Sequence, residues 1–292
     1  MSDPRVSVVI AARNAEAFIG SAIASVLGQT RAAAEIIVVD DGSTDGTAAA
    51  AARFGPRVTL VQHQAAGVSR SRNAAVARAE GDWVAFLDAD DEWLPGKLEQ
   101  QARLMLDGVG FVHCDRLNVG EVDGLPERQS AIQPLVQGDI FATLLVTGNT
   151  ITTSAVAIRR SLFLQLGGFD ERLTHAEDWD LWLRAAAVSE VRAAPDALVR
   201  YRHQAASASR NPDAMIRARV IVAERALASD RGRRLSGLAR RQAMSATWTT
   251  NGWEAARAGQ RWRALGAYLR AAAWWPLSRG AAAGVARQIL GR

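Results

Sequence analysis

The residue types most able to do chemistry in this sequence are concentrated in residues 83–93, which read WVAFLDADDEW. Four apolar residues run directly into Asp88, Asp90, Asp91 and Glu92. A short apolar run of this kind predicts a buried strand. Carboxylates clustered at the end of a buried strand are electrostatically costly unless a cation lies among them. A divalent metal that takes oxygen ligands and bridges phosphates fits this pattern, and the alternative is a solvated acidic turn.

Further carboxylates stand beside other apolar runs. Asp40 and Asp41 follow EIIVV, and Asp115 ends FVHCD at residues 111–115. Glu177 and Asp178 precede the apolar pattern WDLWL at residues 179–183. Without any further role, Asp178 would cap a helix over 179–187, because acids are favoured at that end of a helix.

The first 115 residues alternate strand and helix patterns that would position these acids. Strands are predicted over 5–12, 35–40, 58–62, 83–87 and 111–115, with another near 152–158. Helices are predicted after an Asn14 cap, from Asp45, over 69–79, and from Pro95 to about Leu106. Continuous apolar strands alternating with helices indicate an α/β fold with a doubly wound, mostly parallel, Rossmann-like sheet. Such sheets bind ligands at the carboxyl ends of their strands, where the acids fall.

The chain changes character near residue 212. Residues 1–212 carry 20 Lys+Arg against 26 Asp+Glu, whereas residues 213–292 carry 15 against 4. The later stretch also reads as helical throughout. We therefore predict a nucleotide-binding catalytic domain over 1–212 and a basic helical extension over 213–292. A basic segment of this kind is either a solvated helix face or a surface that docks on anionic lipid or an acidic partner.

Composition limits the class of protein further. The 292 residues are 49% hydrophobic, which supports a sizeable core, and the single cysteine, Cys114, fits a reducing compartment. A strand pattern begins within six residues of the N-terminus, without the basic and apolar regions of a signal peptide. The longest uncharged run, between Asp139 and Arg159, is too rich in Thr and Gly to span lipid. We expect a cytoplasmic protein, peripheral at the inner face of the membrane if it meets one.

Several segments together resemble glycosyltransferase family 2, the inverting nucleotide-diphospho-sugar transferases with the GT-A fold. They are SVVIAARN (7–14), VVDDGSTDGT (38–47), SRSRNAAVARAEGDWVAFLDADDEW (69–93), GGFDE (167–171) and EDWDLWLR (177–184). Their order and spacing cover roughly 205 of the 292 residues. The resemblance implies a sugar donor carried on a nucleoside diphosphate and a divalent metal, Mn²⁺ or Mg²⁺.

The resemblance also assigns roles to individual residues. An Asp of the VDDGS turn, Asp41 or its neighbour Asp40, contacts the base, and a carboxylate suits the N3–H that uracil and thymine share. Arg72 reaches toward the nucleotide, unless it forms a salt bridge to the nearby acids. Asp90 contacts the metal, and Asp88 the ribose or the water shell of the metal; Asp91 and Glu92 face solvent or cap a helix. The nucleotide-binding set as a whole is Ala11, Arg13, Asp40, Asp41, Arg72 and Asp88.

The second group of residues concerns the acceptor. The resemblance makes Asp178 the general base, with Glu177 or Asp180 as alternatives. Glu177, His175, Trp182 and Arg202 are candidates for contact with the acceptor or a phosphate. The family often has YRxH where residues 201–204 read YRHQ, so Gln204 takes the position of the histidine and His203 lies one place early. The sequence therefore departs from the family at the position of this histidine.

The C-terminal pattern offers a membrane contact. Trp262, Leu265, Leu269 and Ala272 fall on one helical face and are followed by Trp274, Trp275 and Pro276. Arg257, Arg261, Arg263 and Arg270 surround this stripe. A basic amphipathic helix with Trp at one end can lie on an anionic bilayer, which suits a lipid-linked acceptor. The alternative, which we favour, is packing of this stripe against the catalytic domain.

Other function classes fit less well. Residues 11–16 contain no glycine, which excludes the phosphate loop of a sugar-nucleotide pyrophosphorylase and the fingerprint of a dinucleotide-dependent dehydrogenase. The basic tail lacks a nucleic-acid-binding motif. The sequence thus predicts a metal-assisted, inverting transfer of a sugar from a nucleotide diphosphate, UDP or dTDP in preference, to a hydroxyl of a glycan or lipid-linked acceptor. The alternative is an inactive, transferase-like subunit that binds nucleotide sugar or serves as a scaffold.

Overall fold

A computed structural model describes residues 3–120, 125–203 and 212–290. These residues include eight strands of one sheet, in the order β3-β2-β1-β4-β7-β6-β8-β5. The strands are β1 Val6–Ala12, β2 Glu35–Asp41, β3 Thr59–His63, β4 Trp83–Asp88, β5 Glu92–Trp93, β6 Val109–Gly120, β7 Ala157–Arg159 and β8 Glu190–His203. Strands β1 to β4 are mutually parallel, β6 is parallel to β8, and β7 and β5 join as antiparallel strands. The predicted α/β class with a mostly parallel sheet is confirmed.

The helices alternate with the first strands and then dominate the C-terminal part. They are α1 Ile19–Leu27, α2 Thr47–Ala52, α3 Val68–Arg78, α4 Lys97–Ala102, α5 Phe141–Thr147, α6 Arg160–Gln165, α7 Glu177–Ala186, α8 Pro212–Ala228, α9 Asp230–Arg233, α10 Gly237–Arg257, α11 Arg261–Trp274 and α12 Arg279–Leu290. Helix α1 shows why the pattern folds this way, because Ile19, Ile23 and Val26 recur at helical spacing and are buried. A helical C-terminal region is therefore present, as predicted.

Chain contacts divide the molecule into two compact units. The sheet unit comprises Met1–Asp139, Ile151–Arg172 and Val188–Ala205, and the helical unit comprises Ile140–Thr150, Leu173–Ala187 and Ala206–Arg292. Helices α5 and α7 thus belong with the C-terminal helices, although they lie earlier in the chain. The division at residue 212 stays a prediction. Among the described helices, none has both the length and the apolar character that crossing a bilayer demands.

Several local expectations are wrong. Asn14 does not cap α1, which begins at Ile19; its φ is 50° and it joins two loops instead. The helix expected from Pro95 to Leu106 is confined to Lys97–Ala102. The strand expected near 152–158 is a short 3₁₀ turn, Thr153–Ala155, followed by β7. Asp115 does not end its strand, because β6 continues to Gly120 along β8.

Candidate active site

The carboxyl ends of β1 and β4 meet where the strand order reverses, which is the ligand-binding place of open α/β sheets. The register sets Ala11 of β1 beside Val39 on one side and Asp88 on the other. Asp40 lies beside Ala12 in the same way. The parallel registers therefore bring the predicted nucleotide-binding residues of three strands to one edge of the sheet unit.

The turn between β4 and β5 presents Asp88 and Asp90 and hides Asp91. The side chains of Asp88 and Asp90 are partly exposed, whereas Asp91 is 1% exposed. Asp91 Oδ1 accepts from the backbone N–H of Arg202 at 2.8 Å, and its Oδ2 accepts from Ser154 Oγ at 2.5 Å. The expectation that Asp91 faces solvent or caps a helix is therefore wrong, because its carboxylate is bonded inside the unit.

Ser154 links the buried acid to the exposed one. Its Oγ donates to Asp91 and accepts from the backbone N–H of Asp88 at 3.1 Å. The turn closes on itself as well, since Asp91 N–H donates to the Asp88 carbonyl at 3.1 Å. Burial and the charge of Asp88 raise the pKa of Asp91 well above its ordinary value. Ser154 and Asp91 thus form a brace that fixes the backbone of this turn. No local pattern in the sequence indicates the contribution of Ser154.

Arg72 of α3 forms the salt bridge that the sequence left as an alternative. Its Nη2 lies 2.5 Å from Asp88 Oδ1, and the Arg72 side chain is almost wholly buried. The guanidinium also lies 5.3 Å from the centroid of the Phe169 ring. Because a guanidinium has five N–H donors, Arg72 can bond to Asp88 and to a further anionic or carbonyl oxygen.

The GGFDE segment is held against α3 by the next residue of that helix. Asn73 Nδ2 donates to the Phe169 carbonyl, and Phe169 N–H donates to Asn73 Oδ1, each at 2.9 Å. Gly168 has φ 71°, and a Cβ there would lie 2.6 Å from Asn73 Oδ1. The RN and GGFDE motifs therefore lock together, and this contact places Phe169 beside Arg72.

Asp40 and Asp41 are the last two residues of β2, and both are buried. Asp41 accepts from the N–H groups of Ala66 at 2.7 Å and Gly67 at 2.9 Å, one to each carboxylate oxygen. Asp40 accepts from Ser43 N–H at 3.1 Å. Each carboxylate oxygen can accept more than one hydrogen bond, so these contacts leave acceptor capacity for a base edge.

The loops after β1 and β2 are joined to each other. Asn14 Oδ1 accepts from Thr44 N–H, and Asn14 N–H donates to Ser43 Oγ, each at 2.9 Å. Ala11 is partly exposed at the end of β1, and Arg13 is exposed beyond it. Asn14 therefore helps to position the predicted nucleotide-binding loops. The sequence, which indicated a helix cap at Asn14, does not predict this role.

Arg202 of β8 lies against the acidic turn. Its Nε donates to the Asp90 carbonyl at 3.1 Å, and its Nη2 lies 3.3 Å from Glu92 Oε1. The guanidinium is 5.3 Å from the centroid of the Phe18 ring. Arg202 thus carries a positive charge beside the turn that is proposed to bind the metal. Gln204, the other residue of interest here, lies outside the described residues.

The residues of the acidic turn fit a hard divalent cation. Asp88 and Asp90 supply carboxylate oxygens, which Mg²⁺ and Mn²⁺ accept. Within the described ranges, no group of three or more His, Cys, Asp or Glu side chains is gathered for a metal. Mg²⁺ is usually held by one or two carboxylates together with substrate phosphates and water, so two acids suffice when the diphosphate supplies the remainder.

Asp178 belongs to the helical unit, in the first turn of α7. Its Oδ1 accepts from Trp179 N–H at 2.8 Å, and its Oδ2 accepts from Asn149 Nδ2 at 2.6 Å. The side chain is partly exposed. The capping alternative is wrong, because α7 begins at Glu177, its N-cap is Ala176 and no described side chain caps it. Asp178 lies inside the first turn and is oriented by Asn149, which the sequence did not single out.

The other acceptor candidates differ in their surroundings. Glu177 and His175 are partly exposed, and His175 Nδ1 lies 3.0 Å from Thr174 Oγ1. Trp182 is 0% exposed, which argues against direct contact with an acceptor. Asp180 is buried and lies 2.7 Å from Arg184 Nη2, which argues against its use as the base. Asp41 and Asp90 belong to the sheet unit, whereas Asp178 belongs to the helical unit.

Sequence comparisons agree with the motifs. The family described as Glycosyl transferase family 2 matches residues 7–167, and Glycosyltransferase like family 2 matches residues 128–227. The Escherichia coli UDP-Glc:alpha-D-GlcNAc-diphosphoundecaprenol beta-1,3-glucosyltransferase WfgD is 33% identical over 63% of this chain and 70% of its own length. The putative teichuronic acid biosynthesis glycosyltransferase TuaG of Bacillus subtilis is 40% identical over 36% of this chain and 43% of its own. The matches to two uncharacterized glycosyltransferases, from Rickettsia prowazekii and Rickettsia typhi, cover 65% and 64% of the length of those proteins. The chain thus spans about two thirds of the length of several relatives.

Solved structures share the fold. Staphylococcus aureus TarS 1-349 in complex with UDP-GlcNAc superposes with a TM-score of 0.70 at 20% identity, over 97% of this chain and 89% of that one. The mannosyltransferase PcManGT of Pyrobaculum calidifontis, in complex with GDP-Man and Mn²⁺, superposes with a TM-score of 0.59 at 21% identity, over 100% and 89%. At these identities the likeness concerns the fold, and it confirms the GT-A architecture.

Proposed function

The chain belongs to glycosyl transferase family 2, and from this premise we propose that it transfers a sugar from a nucleoside diphosphate to an acceptor hydroxyl with inversion at the anomeric carbon. The observation that carries the proposal is the Asp88–Asp90 turn, braced by Asp91 and Ser154 at the point where the strand order reverses. Nucleotide ligands of α/β sheets bind at that place. Because the family and the fold are those of glycosyltransferases, we assign the remaining site residues to steps of sugar transfer.

The donor would lie across the loops of the sheet unit. We propose that the nucleobase of the donor contacts Asp41 or Asp40, because their carboxylates can accept a hydrogen bond from a pyrimidine N3–H. Arg72 would bond to the nucleotide while it keeps Asp88 in place. Arg202 beside the acidic turn would offset negative charge on the diphosphate. Ala11 would let the donor approach β1 closely, and exposed Arg13 would contact it from the following loop.

The proposed metal is Mn²⁺ or Mg²⁺, which Asp90 would hold, while Asp88 would contact the ribose or the water shell of the metal. When bound, such an ion neutralises the charge that develops on the leaving diphosphate. The braced backbone would hold the two carboxylates in fixed positions before the donor arrives, which lowers the cost of assembling the site.

The proposed base is Asp178 of the helical unit. An inverting transfer needs one carboxylate that takes the proton of the acceptor hydroxyl as its oxygen attacks the anomeric carbon. Asn149 donates to Asp178 Oδ2 and would keep the carboxylate oriented for this step. Glu177 remains the alternative base, since it is partly exposed in the same helical turn.

The names of relatives suggest substrates. WfgD is named for UDP-Glc and a GlcNAc-diphosphoundecaprenol acceptor, and TarS 1-349 was crystallised with UDP-GlcNAc. We propose a UDP- or dTDP-sugar donor and a hydroxyl of a glycan or lipid-linked oligosaccharide as acceptor. A lipid-linked acceptor would place the enzyme at the cytoplasmic face of a membrane.

A donor screen tests this proposal. The protein would be incubated with UDP-, dTDP- and GDP-sugars in the presence of Mn²⁺, Mg²⁺ or a chelator, and the release of nucleoside diphosphate would be measured. We expect slow, metal-dependent hydrolysis of at least one UDP- or dTDP-sugar. Binding of nucleotide without turnover of any donor, even with candidate acceptors present, would favour an inactive, transferase-like subunit instead.

A further inference from the structure

Helix α11 packs within the helical unit through small residues and one tyrosine. Ala264, Ala267, Tyr268 and Ala271 are buried, and Ala264 and Tyr268 cluster with Ala255 of α10. The Tyr268 ring fits against Gly252 of α10 and Gly284 of α12, where a Cβ would lie 2.8 and 2.4 Å from it. Tyr268 is thus the residue around which α10, α11 and α12 pack.

The apolar stripe of α11 lies on a different face from this buried one. Trp262 is 77% exposed and Leu269 is 52% exposed, while Leu265 and Ala272 are partly exposed. The favoured expectation that the stripe packs against the catalytic domain is therefore wrong. The physical reason is that the small face allows a closer approach of neighbouring helices than the Trp and Leu face does.

Trp262 belongs to an exposed apolar group at one end of these helices. The Arg261 guanidinium donates to the carbonyls of Gln288 at 2.8 Å and Ile289 at 3.3 Å, which joins the end of α12 to the start of α11. Residues 258–260 alone separate α10 from α11, so the end of α10 lies there too. We call this set of exposed residues the tip: Trp253, Trp262, Ile289 and Leu290, with Arg257, Arg261 and Arg287.

The tip carries positive charge next to its aromatic rings. The Arg257 guanidinium lies 4.8 Å from the centroid of the Trp253 ring, and that of Arg261 lies 5.7 Å from the Trp262 ring. Within the part of the chain that the structure describes, Arg257, Arg261 and Arg287 form no ion pair with an acid. The tip therefore combines large apolar side chains with uncompensated cations.

We propose that the tip docks on the surface of an anionic bilayer. Indole rings favour the boundary between headgroups and acyl chains, and guanidinium groups beside them bond to lipid phosphates. A second copy of this chain is a poorer occupant of the same patch, because it would bring one set of uncompensated arginines against another. The proposal concerns the helical unit alone and holds whether or not the chain transfers a sugar.

Vesicle flotation tests the proposal. The full chain would be mixed with vesicles of phosphatidylcholine alone, or of equal parts phosphatidylcholine and phosphatidylglycerol, and floated through a density gradient. We expect flotation with the anionic vesicles only, and weaker flotation at high salt, since salt screens the attraction. The double variant Trp253→Ser, Trp262→Ser should lose roughly tenfold or more in vesicle affinity.

The chain offers a matched control at the other end of α11. Trp274 is 44% exposed and Leu277 is 75% exposed, so the double variant Trp274→Ser, Leu277→Ser removes comparable apolar surface away from the tip. This control should float like the unmodified chain, and both variants should hydrolyse donor at the unmodified rate. Equal flotation of the tip variant and the control would overturn the proposal. So would failure of the unmodified chain to float, or a dimer in solution that only the tip variant disrupts.

Discussion

Ser154 bonds both to the carboxylate of Asp91 and to the backbone of Asp88, so one hydroxyl joins the buried and the exposed acid of the β4–β5 turn. Burial of Asp91 beside other acids is costly, and its bonds to Ser154 and to Arg202 N–H offset that cost. We infer that these hydrogen bonds hold the proposed metal-binding carboxylates at the spacing that the donor needs.

Ser154→Ala should therefore impair both stability and ligand binding. We expect a loss of about 1–3 kcal/mol in the free energy of unfolding, because a buried carboxylate oxygen and an N–H lose a partner. Mn²⁺-dependent affinity for nucleoside diphosphate should fall as well, since Asp88 and Asp90 are less well held. Chemical denaturation and calorimetric titration would measure the two effects.

Ser7→Ala is the matched control for that substitution. Ser7 is also fully buried, donates to a carboxylate, that of Glu35, at 2.6 Å, and accepts a backbone N–H, that of Gly81, at 2.8 Å. It lies near the amino end of β1, so its loss should cost similar stability and leave nucleotide affinity unchanged. If the two variants bound nucleotide and Mn²⁺ equally well, the brace would have no role in the site.

Lys97 is a buried cation of the sheet unit that lies apart from the proposed chemistry. Its Nζ donates to Gln101 Oε1 at 2.8 Å and lies 3.8 Å from the centroid of the Trp93 ring. Burial lowers the pKa of Lys97 to about 8 from 10.5, and burial raises the pKa of the Cys114 thiol to about 11 from 9.0. These two shifts have opposite effects on stability in alkaline solution.

The sign for Lys97 follows from proton binding. Between about pH 8 and 10.5 the unfolded lysine holds a proton that the folded one has lost, so stability should rise with pH across that window. In a Cys114→Ala background, which removes the opposing thiol, we expect a rise of about 3 kcal/mol in the free energy of unfolding. Adding Lys97→Met should abolish the rise. Chemical denaturation at several pH values would measure the free energy of unfolding with and without Lys97→Met in the Cys114→Ala background. A similar rise with pH in the two variants would show that another group titrates.

Strand β8 shows which elements the sequence could predict and which it could not. Strands β1, β2 and β4 are short apolar runs bounded by acids or turns, so periodicity locates them. In β8 the pairing jumps from Cys114↔Ala194 to Asp115↔Ala197, and Pro195 and Asp196 form the bulge between them. Proline lacks an N–H and is tolerated at such a bulge. The pattern is interrupted there, which is why neither the length of β6 nor the placement of Asp115 could be predicted.

Helix α7 and the segment before it raise a separate expectation about the base. Asn149 follows α5 and reaches Asp178 in the first turn of α7. Asn149→Ala should lower the rate of transfer to an acceptor by about tenfold, because a less well oriented carboxylate reacts less often. Donor hydrolysis in the absence of acceptor should change less.

Thr147→Ala provides the comparison for that helix pair. Its hydroxyl donates to the Thr143 carbonyl within α5, away from Asp178. Transfer by this variant should match that of the unmodified protein, and progress curves for both variants would be recorded at saturating donor. An Asn149→Ala protein with full transfer activity would argue against Asp178 as the base, or against its orientation by Asn149.

The whole chain divides its proposed chemistry between two units. The sheet unit carries the nucleotide and metal residues, and the helical unit carries Asp178. The sequence indicated the fold class and the motifs, because each motif is a local pattern at the end of a strand or the start of a helix. It could not indicate that α5 and α7 cluster with the C-terminal helices, since an amphipathic pattern shows that a face is buried and not which later helix covers it. The bonds of Ser154 to the acidic turn and of Asn149 to Asp178 could not be predicted either, because both join residues that are far apart in the sequence.

The distribution of charge along the chain belongs to this level as well. The excess of arginine after residue 213 is visible in the sequence, but its use depends on which residues the helices bury. Burial of the Ala and Tyr268 face leaves Trp262 exposed beside Arg261. The tip thus places exposed Trp side chains next to arginines, a combination that the overall charge of the segment does not reveal.

The central claim is that Asp90 holds the divalent cation that binds the diphosphate of the donor, while Asp178 takes the proton of the acceptor hydroxyl. The most direct test measures the release of nucleoside diphosphate from a nucleotide sugar that the protein hydrolyses in the donor screen. The unmodified chain, Asp90→Ala and Asp178→Asn would each be assayed with Mn²⁺ or chelator, and with or without acceptor. We predict metal-dependent release by the unmodified chain, a loss of at least about a hundredfold in Asp90→Ala under all conditions, and in Asp178→Asn a loss only of the stimulation by acceptor. Release by Asp90→Ala at the unmodified rate, or full acceptor stimulation in Asp178→Asn, would contradict the claim.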